Sequence, residues 1–340
     1  MKAGVVGASG YVGTELLRLC ASHPGLEVAW AAAGGHAGEA VGAHSPSLAA
    51  AYPGLVYQSF EPGAVDGLDV VFLALPHGES QRLVPALVGR VGLVVDLAAD
   101  FRLADPALYP TWYGAPHAAP DLLGRFVYGL PELFRADLVG AQAVAAAGCY
   151  PTAAALALAP FVRAGLVERT GLVVDAASGV SGAGRTASDR LHFAQVDGGF
   201  SAYGLLDHRH TPEIEQAVAG EVLFTPHLVP MVRGLLATCY ARPSAAAAGL
   251  SSADALRVLR DAYADEPFVV VTEEPPSTKA TVGSNCAQVS ARVDPRTGWL
   301  LSLCALDNLV KGAAGQAVQC ANVALGLAEG AGLPTAGLYP

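Results

Sequence analysis

Residues Ala3-Gly4-Val5-Val6 run straight into Gly7-Ala8-Ser9-Gly10-Tyr11-Val12-Gly13, and then into Thr14-Glu15-Leu16-Leu17-Arg18-Leu19. A short apolar strand, a glycine turn and an amphipathic helix in that order leave few folds open. In a parallel α/β sheet the turn has a use. Its glycines let the backbone bend tightly and approach a pyrophosphate, and the helix N-terminus supplies N–H donors to it. Gly7, Ser9, Gly10, Tyr11, Val12 and Gly13 are therefore candidate cofactor-binding residues. Continuous apolar runs at 69–75, 91–97 and 141–147 read as buried parallel strands of the same sheet.

A second strand is expected over 26–32. It ends in Ala31-Ala32-Ala33-Gly34-Gly35-His36, without the carboxylate that usually holds the ribose hydroxyls of NAD. That favours NADP (NADPH). His36 is a candidate for the 2′-phosphate, and a solvated loop histidine is the alternative reading. Ligands of such sheets sit beyond the carboxyl ends of the strands, which makes Arg102 a candidate for an anionic group. A structural ion pair with Asp100 or Asp105 is the other reading of Arg102.

Gly148-Cys149-Tyr150-Pro151-Thr152 places a cysteine where a helix should begin, with Leu156, Leu158 and Phe161 following among alanines. Pro151 suits the first turn. Unpaired N–H groups and the helix dipole there favour the thiolate, the reactive form. A pKa lowered by about two units from 8.5 raises the ionised fraction at pH 7 from roughly 3% to roughly 75%. Read alone, Cys149 is either a prepared nucleophile or a small buried hydrophobe.

A strand over 172–176 leads into Ser178-Gly179-Val180-Ser181-Gly182-Ala183-Gly184-Arg185, a turn that suits close approach to a ligand. His208-Arg209-His210-Thr211-Pro212-Glu213 offers a histidine as general acid/base for the thiol, with Glu213 to orient an imidazole, grip substrate or cap a helix. No third ligand is evident beside the two histidines, so no metal is expected. Strands are expected at 287–293 and 299–306, a helix to about Leu327, and a surface connection over 243–253.

With 340 residues the chain can build two cores. A net charge of −10 and only 15% charged residues leave no basic stripe for nucleic acid. The six cysteines form no CxxC pair and no disulfide framework. No signal peptide or membrane span is evident, and a cytoplasmic location is expected.

Taken together, several motifs resemble the N-acetyl-gamma-glutamyl-phosphate reductase family. They are GASGYVG at 7–13, LPHG at 75–78, ADFRL at 99–103, YGLPEL at 128–133, GCYPT at 148–152, SGAGR at 181–185, HRHTPEI at 208–214 and DNLVKGAAGQAVQ at 307–319. The family is similar to aspartate-semialdehyde dehydrogenase. The resemblance implies an α/β fold with a Rossmann-type NADP-binding domain (1–148 and 309–340) and an α+β catalytic and oligomerisation domain (149–308) of the glyceraldehyde-3-phosphate dehydrogenase-like type. It implies a homodimer or homotetramer. Carried over, Cys149 is the nucleophile and His208 the acid/base, with His210 and Glu213 in support. Ser181, Gly182 and Asn308 lie near the nicotinamide, and Arg102 and Arg185 meet anionic substrate groups. The implied reaction is NADPH-dependent reduction of an acyl phosphate through a Cys149 thioester, in arginine biosynthesis. Rival readings are a reductase of carrier-linked aminoadipyl phosphate in lysine biosynthesis and a non-enzymatic NADP-binding sensor. Two departures from the family pattern are Ala147, where many members have proline, and Gly34-Gly35-His36 in place of a Ser-Arg pair.

Overall fold

The structure is a computed structural model and describes residues 1–339. It divides into two compact units. The first comprises residues 1–147 and 313–333, the second 148–312 and 334–339.

The first unit is built on a six-stranded sheet of β1 (Lys2–Val6), β2 (Glu27–Ala32), β3 (Val70–Leu73), β4 (Leu93–Asp96), β5 (Val127–Gly129) and β6 (Ala143–Ala146). The order is β2-β1-β3-β4-β6-β5 and every pairing is parallel. Val70–Leu73 and Leu93–Asp96 are buried throughout, as unbroken apolar runs require of a sheet covered on both faces. The order reverses beside β1, so the crevice for a ligand lies at the carboxyl end of β1. The helix Tyr11–Ala21 starts there, after Gly10, with no side-chain cap.

The helix Gly315–Ala324 belongs to this unit although it comes last in the chain. Its polar side chains fix it. Gln319 donates to Glu132 (2.9 Å) and Glu329 (2.8 Å), and Asn322 meets His23 Nε2 at 2.9 Å. Each of these groups is largely withdrawn from water, where an unmade hydrogen bond costs about 1–3 kcal/mol.

The second unit holds a mixed seven-stranded sheet of β7 (Leu172–Gly179), β8 (Ser201–Ala202), β9 (Val222–Val229), β10 (Leu235–Ala241), β11 (Val269–Val271), β12 (Ala287–Val293) and β13 (Leu300–Leu306), in the order β11-β12-β13-β10-β7-β9-β8. Alternate residues of β7, β10 and β13 are buried, so one face is covered. The helix Cys149–Arg163 lies on β10 and β13, with Ser302 donating to the Ala157 carbonyl at 2.7 Å. The opposite face presents Val173, Leu223, Leu236, Tyr240, Leu301 and Leu303, all at least partly exposed.

The division differs from the sequence-based boundaries at the end of the chain. Residues 334–339 pack with the second unit: Asn285 N–H donates to the Pro334 carbonyl (2.7 Å), and Leu338 N–H to the Val282 carbonyl (2.7 Å). The last helix is also shorter than expected, ending at Ala324 and preceded by a π-helical turn over Val310–Ala314. No helix among the described residues is long and apolar enough to cross a membrane.

Candidate active site

In the glycine turn, Gly7 has φ +77°, and a Cβ there would lie 2.2 Å from the Ala74 carbonyl oxygen. A Cβ on Gly13 would lie 2.2 Å from the Gly7 carbonyl oxygen, so only glycine lets the helix settle onto the turn. The uncapped first turn of an eleven-residue helix leaves N–H groups and the positive dipole end for an anion, which fits a dinucleotide pyrophosphate.

Cys149 is the first residue of the helix Cys149–Arg163, after Gly148 in extended conformation (φ −70°, ψ 160°). It is half-buried, while Cys20, Cys239, Cys286, Cys304 and Cys320 are all buried. Burial pushes the Cys20 thiol up to about 12 and the Cys239 thiol well above its usual range, so neither is a nucleophile near neutrality. Cys149 opens into a cavity of about 420 Å³, whose lining includes Ser178, Gly182, Arg190, Tyr203, His208, Arg209 and His210.

Two segments of the second unit set the geometry around the thiol. Glu213, fully buried in the first turn of the helix His210–Val218, accepts a 2.8 Å hydrogen bond from the Gly148 backbone N–H. His210 Nε2 stands 4.0 Å from the other Glu213 oxygen. From the far side, Gly312 allows close approach: a Cβ there would lie 2.7 Å from the Cys149 Cβ.

His208 sits in an aromatic cage. Its ring meets those of Tyr150 (5.8 Å), Tyr203 (5.5 Å), Phe224 (5.3 Å) and His210 (4.8 Å), mostly edge to face. Desolvation in that cage, reinforced by the Arg209 charge, lowers its pKa to about 4. The ring is therefore neutral at pH 7. Nδ1 accepts the His210 backbone N–H at 3.1 Å, so the proton of the neutral ring is on Nε2.

Of the other residues expected at the site, Ser181 and Asn308 are brought together. Asn308 Nδ2 donates to Ser181 Oγ (2.9 Å) and its Oδ1 accepts from Gly234 N–H (2.8 Å), so the side chain pins the 178–184 turn. Arg185 lies on the exposed part of that turn and outside the cavity lining. Arg102 belongs to the first unit and is 8% exposed. It donates to the Ala146 (2.8 Å) and Leu97 (3.0 Å) carbonyls, which makes it a brace for the strand ends. The cations that line the cavity are Arg190 and Arg209, which the sequence reading did not single out. Arg209 lies inside the His208–Glu213 motif and was legible there; no motif marks Arg190.

Residues 2–141 match the semialdehyde dehydrogenase NAD binding domain family, and residues 149–308 the semialdehyde dehydrogenase dimerisation domain family. The N-acetyl-gamma-glutamyl-phosphate reductase of Symbiobacterium thermophilum is 48% identical, covering 100% of this chain and 99% of that protein. The same-named protein of Desulforudis audaxviator is 47% identical with both chains covered in full. Among solved structures, the aspartate semialdehyde dehydrogenase of Candida albicans, determined with NADP, superposes with a TM-score of 0.71 at 18% identity, over 95% of this chain and 97% of that one, which shows the fold. This chain belongs to the N-acetyl-gamma-glutamyl-phosphate reductase family.

Proposed function

We propose that the protein reduces N-acetyl-gamma-glutamyl phosphate to N-acetyl-glutamate 5-semialdehyde with NADPH, a step of arginine biosynthesis. The observation that carries this reading is the half-buried Cys149 at a helix start, sharing one cavity with His208 and two arginines. The full-length similarity to reductases of that name supports the choice of substrate.

Residues Gly7 to Gly13 hold the cofactor phosphates at the uncapped helix start, and bound NADPH supplies the hydride. Cys149 Sγ attacks the acyl carbon, the carbon–oxygen bond to phosphate breaks, and phosphate departs with the bonding pair and takes up a proton. A thioester remains, whose carbonyl is far more open to hydride than a carboxylate. After reduction the carbon–sulfur bond breaks, the aldehyde leaves and the Cys149 thiolate is restored.

His208 donates its Nε2–H to the substrate oxygen whenever that oxygen gains charge. The full acid/base role expected from the sequence needs a charged ring, which its low pKa opposes near neutrality. Glu213 fixes the Gly148 amide, and so the start of the nucleophile helix. Arg190 and Arg209 face the anionic groups of the substrate, and Asn308 holds the Ser181–Gly182 turn.

The partly exposed apolar face of the second sheet suits self-association, and the proposal extends to a homodimer or homotetramer. The test of function is the reverse reaction. Protein, N-acetyl-glutamate semialdehyde, phosphate and NADP should generate NADPH absorbance that depends on phosphate, with NAD less effective. Activity only with a carrier-linked aminoadipyl substrate would overturn the substrate assignment. No activity with either substrate would return the protein to the sensor reading.

A further inference from the structure

We propose that His36, Glu39 and His44 form a binding site for one divalent transition-metal ion, with zinc the best match to the donors. The three residues lie on the segment that follows β2. His36 ends the turn Gly34–His36, and His44 ends the short helix Val41–His44. Their ligand atoms all lie within 4.8 Å of one another. His36 Nδ1 is 3.2 Å from Glu39 Oε2, and His44 Nδ1 is 4.0 Å from the same oxygen. Zinc holds nitrogen and oxygen ligands at about 2.0–2.1 Å in a tetrahedron, which sets ligand separations of roughly 3.3 Å. The His36–Glu39 pair is already at about that spacing, and the His44–Glu39 pair is about 0.7 Å wider.

The backbone already fixes this arrangement. Gly38 N–H donates to the Tyr57 carbonyl (2.8 Å), Tyr57 N–H to the Glu39 carbonyl (2.9 Å) and Val41 N–H to the Leu55 carbonyl (2.9 Å). Tyr57, fully buried, packs edge-on against the His44 ring at 5.8 Å. A site whose ligands are positioned by packing and hydrogen bonds loses little entropy on binding. The imidazole rings of His36 and His44 are 4.1 Å apart, a distance at which two imidazolium ions repel and two neutral rings can share one cation.

Donor chemistry selects the ion. Two imidazoles and one carboxylate suit zinc, copper or nickel, whereas magnesium and calcium prefer all-oxygen sites. Side-chain exposure falls from 52% at Glu39 and 37% at His36 to 12% at His44, so the fourth position faces solvent and takes water. None of the three residues lines the Cys149 cavity.

The test is calorimetric titration of the full-length reduced protein with zinc chloride, paralleled by visible absorption with cobalt(II). One equivalent should bind and should persist in the Cys149→Ser variant. His36→Gln and Glu39→Gln, both at exposed side chains, should each weaken binding by at least the about 10–100-fold that outer-shell substitutions cost. Urea unfolding of both variants should stay at the parental midpoint. The cobalt spectrum should be tetrahedral, without the thiolate charge-transfer band a cysteine ligand would add. Absence of saturable binding overturns the proposal. So does binding that survives both glutamine substitutions, disappears in Cys149→Ser, or shows thiolate ligation.

Discussion

The Glu213 carboxylate accepts the Gly148 backbone N–H at 2.8 Å, one residue ahead of Cys149. Glu213 is fully buried and 65 positions away in sequence, so this bond ties the start of one helix to the first turn of another. Glu213→Gln keeps an acceptor and should hold stability near the parental value while kcat falls about tenfold, a barrier change of about 1.4 kcal/mol. Glu213→Ala leaves a buried donor unmet and should cost about 1–3 kcal/mol in urea unfolding as well. A loss confined to KM, with kcat intact, would show that Glu213 does not position the nucleophile.

Cys149→Ala should abolish turnover while NADPH still binds, read by quenching or enhancement of cofactor fluorescence. Retained turnover would move the nucleophile elsewhere.

Gly312→Ala tests the close approach behind Cys149. The added Cβ would meet the Cys149 Cβ at 2.7 Å and its Cα at 3.2 Å, and neither atom belongs to a flexible chain end. Overpacking of this kind costs about 1–3 kcal/mol. A displacement of about 1 Å at the thiol should lower kcat about 10²-fold. Iodoacetamide alkylation of Cys149 should slow in parallel; an unchanged alkylation rate with unchanged kcat would sink the prediction.

His208 makes a prediction about pH. Its folded pKa of about 4 lies below the ordinary 6.5, so between these values the unfolded chain binds the extra proton. Its effect on stability is neutral above about pH 6.5 and unfavourable below, reaching about 3 kcal/mol as pH falls through 4. His208→Asn should remove that acid-side loss, seen as a smaller gap between urea midpoints at pH 7 and pH 4.5. In activity, Asn reaches only the position of Nδ1 and should cost about 10²–10³ in kcat. Gln reaches the position of Nε2 and should recover part of it.

Local features were readable from the chain. Strands β1 to β4 and β6 begin and end within about two residues of the apolar runs that predict them, because buried parallel strands have one composition on both faces. β9 and β10 carry no comparable apolar run. Pro226 and His227 interrupt the apolar run of Val222–Val229, and Leu235–Ala241 alternates as a half-covered strand does. The surface connection expected over 243–253 ends earlier in the structure, since Ser251 and Asp254 form a capping box that opens the helix Ser252–Ala262. At the site, Cys149 and the histidines announce themselves by type and context. The Glu213–Gly148 bond does not, because it depends on how segments 65 positions apart fold back on one another.

The chain leaves the first unit at residue 147 and returns to it at 313. The ribosome therefore releases nearly all of the parallel sheet long before the helix Gly315–Ala324 that it buries. The gap is about 170 residues, or roughly ten to thirty seconds at about 5–20 residues per second. Throughout that interval the nascent domain carries an open apolar seam where the helix will dock, while the second domain forms downstream. Truncations near the C-terminus should thus injure the first-made domain, and stalled chains that lack residues 315–324 should engage chaperones even though their β1–β6 sequence is complete.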